Sequence, residues 1–231
     1  MEAETLRARA AWVRERIEAA RARAGRTDEV TLVAVTKTHP AEVVRAAIEA
    51  GIGDVGENRV QEMDDKVRDV GRHAVRWHLI GHLQRNKAAR AVAIADLVHS
   101  LDSVRLAEAL SAEAVKAGAT VLALVQVNTS GEESKFGLSP EEAIDAVGRM
   151  AGLPGLRLEG MMTMAPLTDD QDVIRRTFAG ARRLREEAAR QLPAFTGRHL
   201  SMGMSNDFEA AVEEGSTLVR VGSTLFGERG R

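Results

Sequence analysis

The chain contains neither cysteine nor tyrosine. Without cysteine there can be no disulfide, thiolate metal site, iron–sulfur cluster or sulfur nucleophile. Without tyrosine no phenol is available as a general acid or base. Lysine is scarce: five residues, at 37, 66, 87, 116 and 135, in a chain of 231 residues whose lysines and arginines total 32. The formal net charge is −2 and the sequence pI about 6.3, which argues against a polyanion-binding surface and so against a nucleic-acid partner. Apolar runs long enough to span a bilayer are missing, and Met1-Glu2-Ala3-Glu4 leads into a charged helix rather than a secretory leader. A soluble cytoplasmic protein with no membrane partner is expected.

Against these absences stands Thr31-Leu32-Val33-Ala34-Val35-Thr36-Lys37, followed by Thr38-His39-Pro40. A buried parallel strand that delivers one amine to the mouth of an α/β fold has this pattern. Desolvation lowers a lysine pKa and frees the nucleophilic amine, which condenses with aldehydes. The alternative is a strand-end lysine that snorkels to solvent. Of the other four, Lys66 and Lys116 sit in charged helical patterns, Lys87 follows a polar loop, and Lys135 lies in the turn-rich Ser130–Phe136 segment.

Residues 2–24 read as an amphipathic helix with Leu6, Ala10, Val13 and Ile17 on one stripe. Strands and helices then alternate. The strand that leads to Lys37 is followed by helix Ala41–Ala50, strand 54–56, helix Arg59–Val70, strand Arg76–Ile80, helix Asn86–Ile94, strand 97–99 and helix Val104–Ala117. Next come strand Thr120–Val127, a helix opening at Ser139-Pro140, strand Leu156–Met162, helix Asp170–Gln191, strand 199–201, helix Asn206–Glu214 and strand Thr217–Val221. Eight βα units with short loops predict a single (β/α)₈ TIM barrel over residues 1–231, with an extra N-terminal helix. A Rossmann fold would want a glycine-rich turn after its first strand, where Lys37-Thr38-His39-Pro40 stands.

A barrel of this kind places its active site at the carboxyl ends of the strands. The last two ends are Ser201-Met202-Gly203-Met204-Ser205 and Val221-Gly222-Ser223-Thr224. Glycine admits an anion to the backbone, and hydroxyls and amides donate to it, so both loops together suggest a phosphate site. Ordinary N-capping by Ser205 and Ser223 is the alternative. Arg220 lies inside an apolar strand and needs a partner there, Glu57 or Asp207 in the simplest structural reading. His78 and His82 have no carboxylate to complete a ligand set, so no metal is expected.

In order along the chain, Val35-Thr36-Lys37, Gly56-Glu57-Asn58-Arg59-Val60-Gln61-Glu62, the run His78 to Lys87, Leu200-Ser201-Met202-Gly203-Met204-Ser205 and Val219-Arg220-Val221-Gly222 resemble the pyridoxal-phosphate homeostasis proteins. The resemblance covers essentially the whole chain. It implies a fold-type III barrel similar to the amino-terminal domain of alanine racemase, binding pyridoxal 5'-phosphate through a Schiff base on Lys37. It further implies that Ser201, Gly203, Gly222 and Ser223 hold the phosphate, that Arg220 faces the pyridine nitrogen, and that Asn58 lies beside the ring. An arginine there would keep that nitrogen unprotonated and weaken the ring as an electron sink.

Racemases of this fold use a tyrosine opposite the lysine, from a second β-domain, and related decarboxylases use a partner's cysteine. This chain has neither residue and ends at Arg231, just after the barrel. His82 or His199 could replace the missing base. The expectation is a monomeric, non-enzymatic carrier that buffers pyridoxal phosphate, affects amino-acid and keto-acid balance indirectly, and has PLP-dependent apoenzymes as candidate partners. Two readings compete with it. One is a PLP-dependent racemase-like enzyme. The other is a cofactor-free sugar-phosphate lyase, disfavoured because no paired carboxylate is expected beside Lys37.

Overall fold

The protein, described by a computed structural model over residues 3–132 and 136–227, is a closed barrel of eight parallel strands in sequence order. Lys135, within the expected turn Ser130–Phe136, lies outside the described residues. The strands are β1 (Thr31–Val35), β2 (Asp54–Glu57), β3 (Arg76–Leu79), β4 (Leu97–Leu101), β5 (Val121–Gln126), β6 (Leu156–Met162), β7 (His199–Ser201) and β8 (Leu218–Val221). Closure comes from β1 pairing with β8, with Thr31 opposite Leu218 and Ala34 opposite Val221.

Helix α1 (Ala3–Arg23) precedes the barrel, and α2 (Ala41–Glu49), α3 (Val60–Val70), α4 (Ala88–Ile94), α5 (Val104–Ala117), α6 (Pro140–Ala151), α7 (Gln171–Gln191), α8 (Phe208–Glu213) and α9 (Ser223–Phe226) follow the successive strands. Local chemistry sets their ends. Ser139 and Glu142 form a capping box with Pro140 in the first turn of α6, and Asp170 caps α7 by accepting the N–H groups of Asp172 and Val173. Such caps contribute about 1 kcal/mol each. The expected helix from Asn86 divides into a 3-10 turn, Arg85–Lys87, and α4. Four-residue α9 is too short to leave a periodic pattern and was not expected.

Two apolar layers follow from the alternation of side chains along each strand. The outer layer packs strands on helices and includes Trp77, Phe178 and Leu110. A smaller inner layer, Val33, Leu97, Leu124, Met162 and Leu218, fills the lumen. Two residues on, toward the carboxyl ends, Leu97 gives way to His99 and Leu218 to Arg220, so a polar layer lies above the apolar one. Among the described residues no helix is long and apolar enough to cross a membrane.

Candidate functional site

Strand β1 is buried from Leu32 to Val35, and Thr36 and Lys37 continue it toward the carboxyl face of the barrel. The turn beyond is tight: Thr38 has φ of 67°, in the left-handed region that β-branched residues rarely occupy. Its N–H donates to the Glu62 carboxylate. Beneath it, Lys66 reaches in from α3, donating to the Thr36 carbonyl at 2.7 Å and to Glu57 Oε1 at 2.6 Å. The Thr36 hydroxyl donates to the same Glu57 oxygen. Burial raises the Glu57 pKa, opposed by Lys66 and Thr36.

Lys66, which the sequence shows only as part of a charged helical pattern, is buried, because α3 turns it under β1. One expectation is corrected here. Carboxylates do stand beside the Lys37 segment, Glu57 and Glu62, and both are committed to Lys66.

At this end a cavity of about 710 Å³ opens, and Lys37, Asn58, Arg220, Gly222 and Ser223 all line it. Ser201 and Gly203, expected at the phosphate, do not. Ser201 is fully buried in the lumen, and Gly203 turns with φ of 93° where a Cβ would lie 2.5 Å from that of Ala211. Instead Met204, Ser205 and Asn206 reach the cavity. Ser205 Oγ accepts the N–H groups of Gly222 and Thr224, at 3.3 and 3.4 Å, so both phosphate-type loops converge on one hydroxyl. The sequence places Ser205 at the end of the first phosphate-type loop, with N-capping as the alternative, and the resemblance does not name it among the phosphate residues. Elsewhere in the lining, Gly81 lets the chain just after β3 approach Asn58 closely, since a Cβ there would lie 2.3 Å from the Asn58 carbonyl oxygen.

Arg220 enters the cavity from β8 but is not paired with Glu57. It donates to Ser201 Oγ at 2.6 Å and to the Thr163 carbonyl at 3.1 Å. Burial lowers its pKa to about 10, opposed by the charge of Asp207, so it remains a cation at neutral pH. Ser201 Oγ also lies 2.9 Å from His99 Nδ1, and His99 Nε2 lies 2.9 Å from His78 Nδ1. Burial, with His78 and Arg220 alongside, holds His99 well below the ordinary imidazole range. His78 Nε2 reaches Asp54 Oδ1 at 2.8 Å.

His78 and His82 therefore part company: the first faces the lumen, the second the cavity mouth. His82 Nδ1 lies 3.0 Å from Asp102, and its ring stacks on Phe136 at 4.5 Å. His199, the other candidate base, does not line the cavity, and its buried Nδ1 has no partner among the described residues.

The family described as alanine racemase, N-terminal domain, matches residues 10–230. The pyridoxal phosphate homeostasis protein of Aquifex aeolicus is 40% identical over 218 residues, covering 94% of this chain and 95% of that one. The structure of PipY from Synechococcus elongatus with PLP bound superposes with a TM-score of 0.84 at 36% identity, over 96% of this chain and 100% of that one. An alanine racemase of Clostridium difficile shares the fold, with a TM-score of 0.78 at 15% identity, over 99% of this chain and 58% of that one.

Proposed function

Because the chain belongs to the pyridoxal phosphate homeostasis family, itself built on the alanine racemase N-terminal domain, we propose that it binds pyridoxal 5'-phosphate reversibly on Lys37 and buffers this reactive aldehyde. The observation that carries the reading is the convergence in one cavity of a primary amine, a buried guanidinium and a hydroxyl-and-amide cradle. These groups fit the cofactor. Lys37 would hold its aldehyde carbon, Arg220 would face its ring nitrogen with Asn58 beside the ring, and Ser205, Gly222 and Ser223 would take its phosphate. The cofactor supplies an electrophilic aldehyde that condenses with amines and an electron-withdrawing ring. The protein's part is to orient it, with Arg220 donating to the ring nitrogen rather than protonating it.

The reading takes the chain as one cofactor-binding domain, monomeric and cytoplasmic, a carrier rather than an enzyme, which affects amino-acid and keto-acid balance indirectly. PLP-dependent apoenzymes are its candidate recipients. The cavity mouth supports such a meeting, since Leu167, Phe136 and Met204 expose apolar surface around it, Leu167 to 96%.

The test is the visible spectrum of protein incubated with pyridoxal phosphate, wild type beside Lys37→Ala, before and after borohydride. A coloured wild type whose adduct borohydride fixes on Lys37, absent from the variant, is expected. A protein that stays colourless overturns the reading.

One observation favours a racemase-like alternative. His82 lies in the same cavity as Lys37, and an Nδ1–H bond to Asp102 would leave Nε2 as a base. Solvent deuterium entering the α-carbon of an amino acid in wild type but not in His82→Phe would favour that enzyme. Its absence favours the carrier.

A further inference from the structure

Arg220, Ser201, His99, His78 and Asp54 form a continuous hydrogen-bonded chain through the lumen, from the cavity to the first residue of β2 at the opposite end of the barrel. Its direction is fixed from both ends. A guanidinium has no acceptor, so Arg220 must donate to Ser201 Oγ. The Ser201 hydroxyl has one other partner, His99 Nδ1, and satisfies its own proton by donating there. From the other end, the Asp54 carboxylate accepts, which puts the proton of His78 on Nε2 and leaves Nδ1 to accept from His99 Nε2–H. The two derivations meet at His99 without conflict. The rings meet edge on, with centroids 5.1 Å apart and planes at 69°, an arrangement compatible with an N–H to N contact.

We propose that Asp54 is a positioning residue for the cofactor's ring nitrogen: through His78, His99 and Ser201 it fixes the orientation of Arg220 and balances its charge from the far end of the barrel. The assignment rests on the cofactor reading above only for what Arg220 faces; the chain itself belongs to the protein alone. Both histidines are neutral Nε2–H tautomers, and every bond points from the cation to the anion. Among the described residues the buried guanidinium has no carboxylate in hydrogen-bond contact, and the chain supplies one at a distance. Other charges bear on it. Arg76 lies 3.7 Å from Asp54, the charges of His199 and Arg76 act on His99, and that of Asp207 acts on Arg220.

The first test needs no cofactor. Nitrogen-15 NMR of the unloaded wild-type protein at neutral pH should show His78 and His99 both neutral and protonated on Nε2. A proton on Nδ1 of either ring, or an imidazolium, overturns the chain. The second test reads the coupling. In protein loaded with pyridoxal phosphate, Asp54→Asn keeps an acceptor for His78 but removes the charge, leaving the cavity more positive. The pH midpoint of the visible band should fall by about half a unit. The same change placed in a His99→Phe background, where the chain is cut, should shift the midpoint by less than half as much. An undiminished shift would mean that Asp54 acts through space alone, and the positioning role fails. Should His99→Phe not fold, Ser201→Ala cuts the same chain. If the wild type takes up no cofactor, it is the function that fails, and the NMR result still decides the chain.

Discussion

Lys66 Nζ and Glu57 Oε1 lie 2.6 Å apart inside the protein, directly under the backbone that presents Lys37. The pair ties α3 to the end of β1, since the same ammonium holds the Thr36 carbonyl. Removing one partner strands a buried charge, at a cost of about 3–5 kcal/mol. Lys66→Met should therefore lower unfolding free energy by that amount in urea. Adding Glu57→Gln should restore most of it, because no charge is then left unpaired. A double variant as unstable as the single one would show that the packing, and not the charge, is at stake.

Stability should fall with mild acid. Burial lowers the pKa of both His99 and His199 from the ordinary 6.5. Above that value folded and unfolded chains are both neutral at these rings. Below it the unfolded chain takes up protons that the folded chain refuses, so stability drops as pH falls toward the depressed folded values. Each ring contributes at most about 1.4 kcal/mol per pH unit. The carboxylates of Asp28, Asp96 and Glu213, lowered in the folded state, add a separate loss at lower pH, beginning near their ordinary values of 3.8 to 4.5. Urea midpoints from pH 8 to 5 should slope downward, less steeply in His99→Asn. A flat wild-type profile across that range contradicts the burial of neutral rings.

The left-handed turn at Thr38 should be improvable. Asparagine tolerates φ of 67° better than a β-branched residue does, and the N–H bond to Glu62 is kept. Thr38→Asn is expected to gain about 1 kcal/mol in thermal or urea unfolding. A loss would show that the threonine side chain contributes more than its backbone strain costs.

Ser205 and Ser201 should separate in their effects. Ser205→Ala removes the hydroxyl at the meeting of the two loops and should weaken pyridoxal phosphate binding about tenfold. Ser201→Ala leaves His99 and Arg220 each short of a partner, costing about 1–3 kcal/mol of stability. Titration beside urea unfolding reads both effects. The opposite ranking would return the phosphate to Ser201.

The barrel was legible because each βα unit carries its own local signal: an apolar run, then a capped amphipathic helix, as at Thr120–Val127 and Ser139-Pro140. The lysine was legible for the same reason, since Lys37 alone follows such a run. What stayed hidden depends on contacts between distant strands. Nothing local in Trp77-His78-Leu79 or Val98-His99-Ser100 shows that the two rings meet, because they are 21 residues apart and join only across the lumen. Ser201 ends β7 and Ser205 follows four residues on, and the turn at Gly203 between them decides which reaches the cavity. Lys66 stayed hidden for a different reason, since a lysine among aspartates carries no mark of burial until α3 is docked.

The barrel's two ends of sequence are also its seam. Leu6, Val13 and Ile17 of α1 are covered by Phe208, Val212, Leu225 and Phe226, and β1 hydrogen-bonds along β8. During synthesis the first helix meets β1 and α2 early, but the part of its apolar stripe that α8 and α9 cover must wait for nearly two hundred residues of translation. Ring closure is consequently a late event on the ribosome. A circular permutant that starts at β8 and joins it through α9 to α1 would let the seam form first.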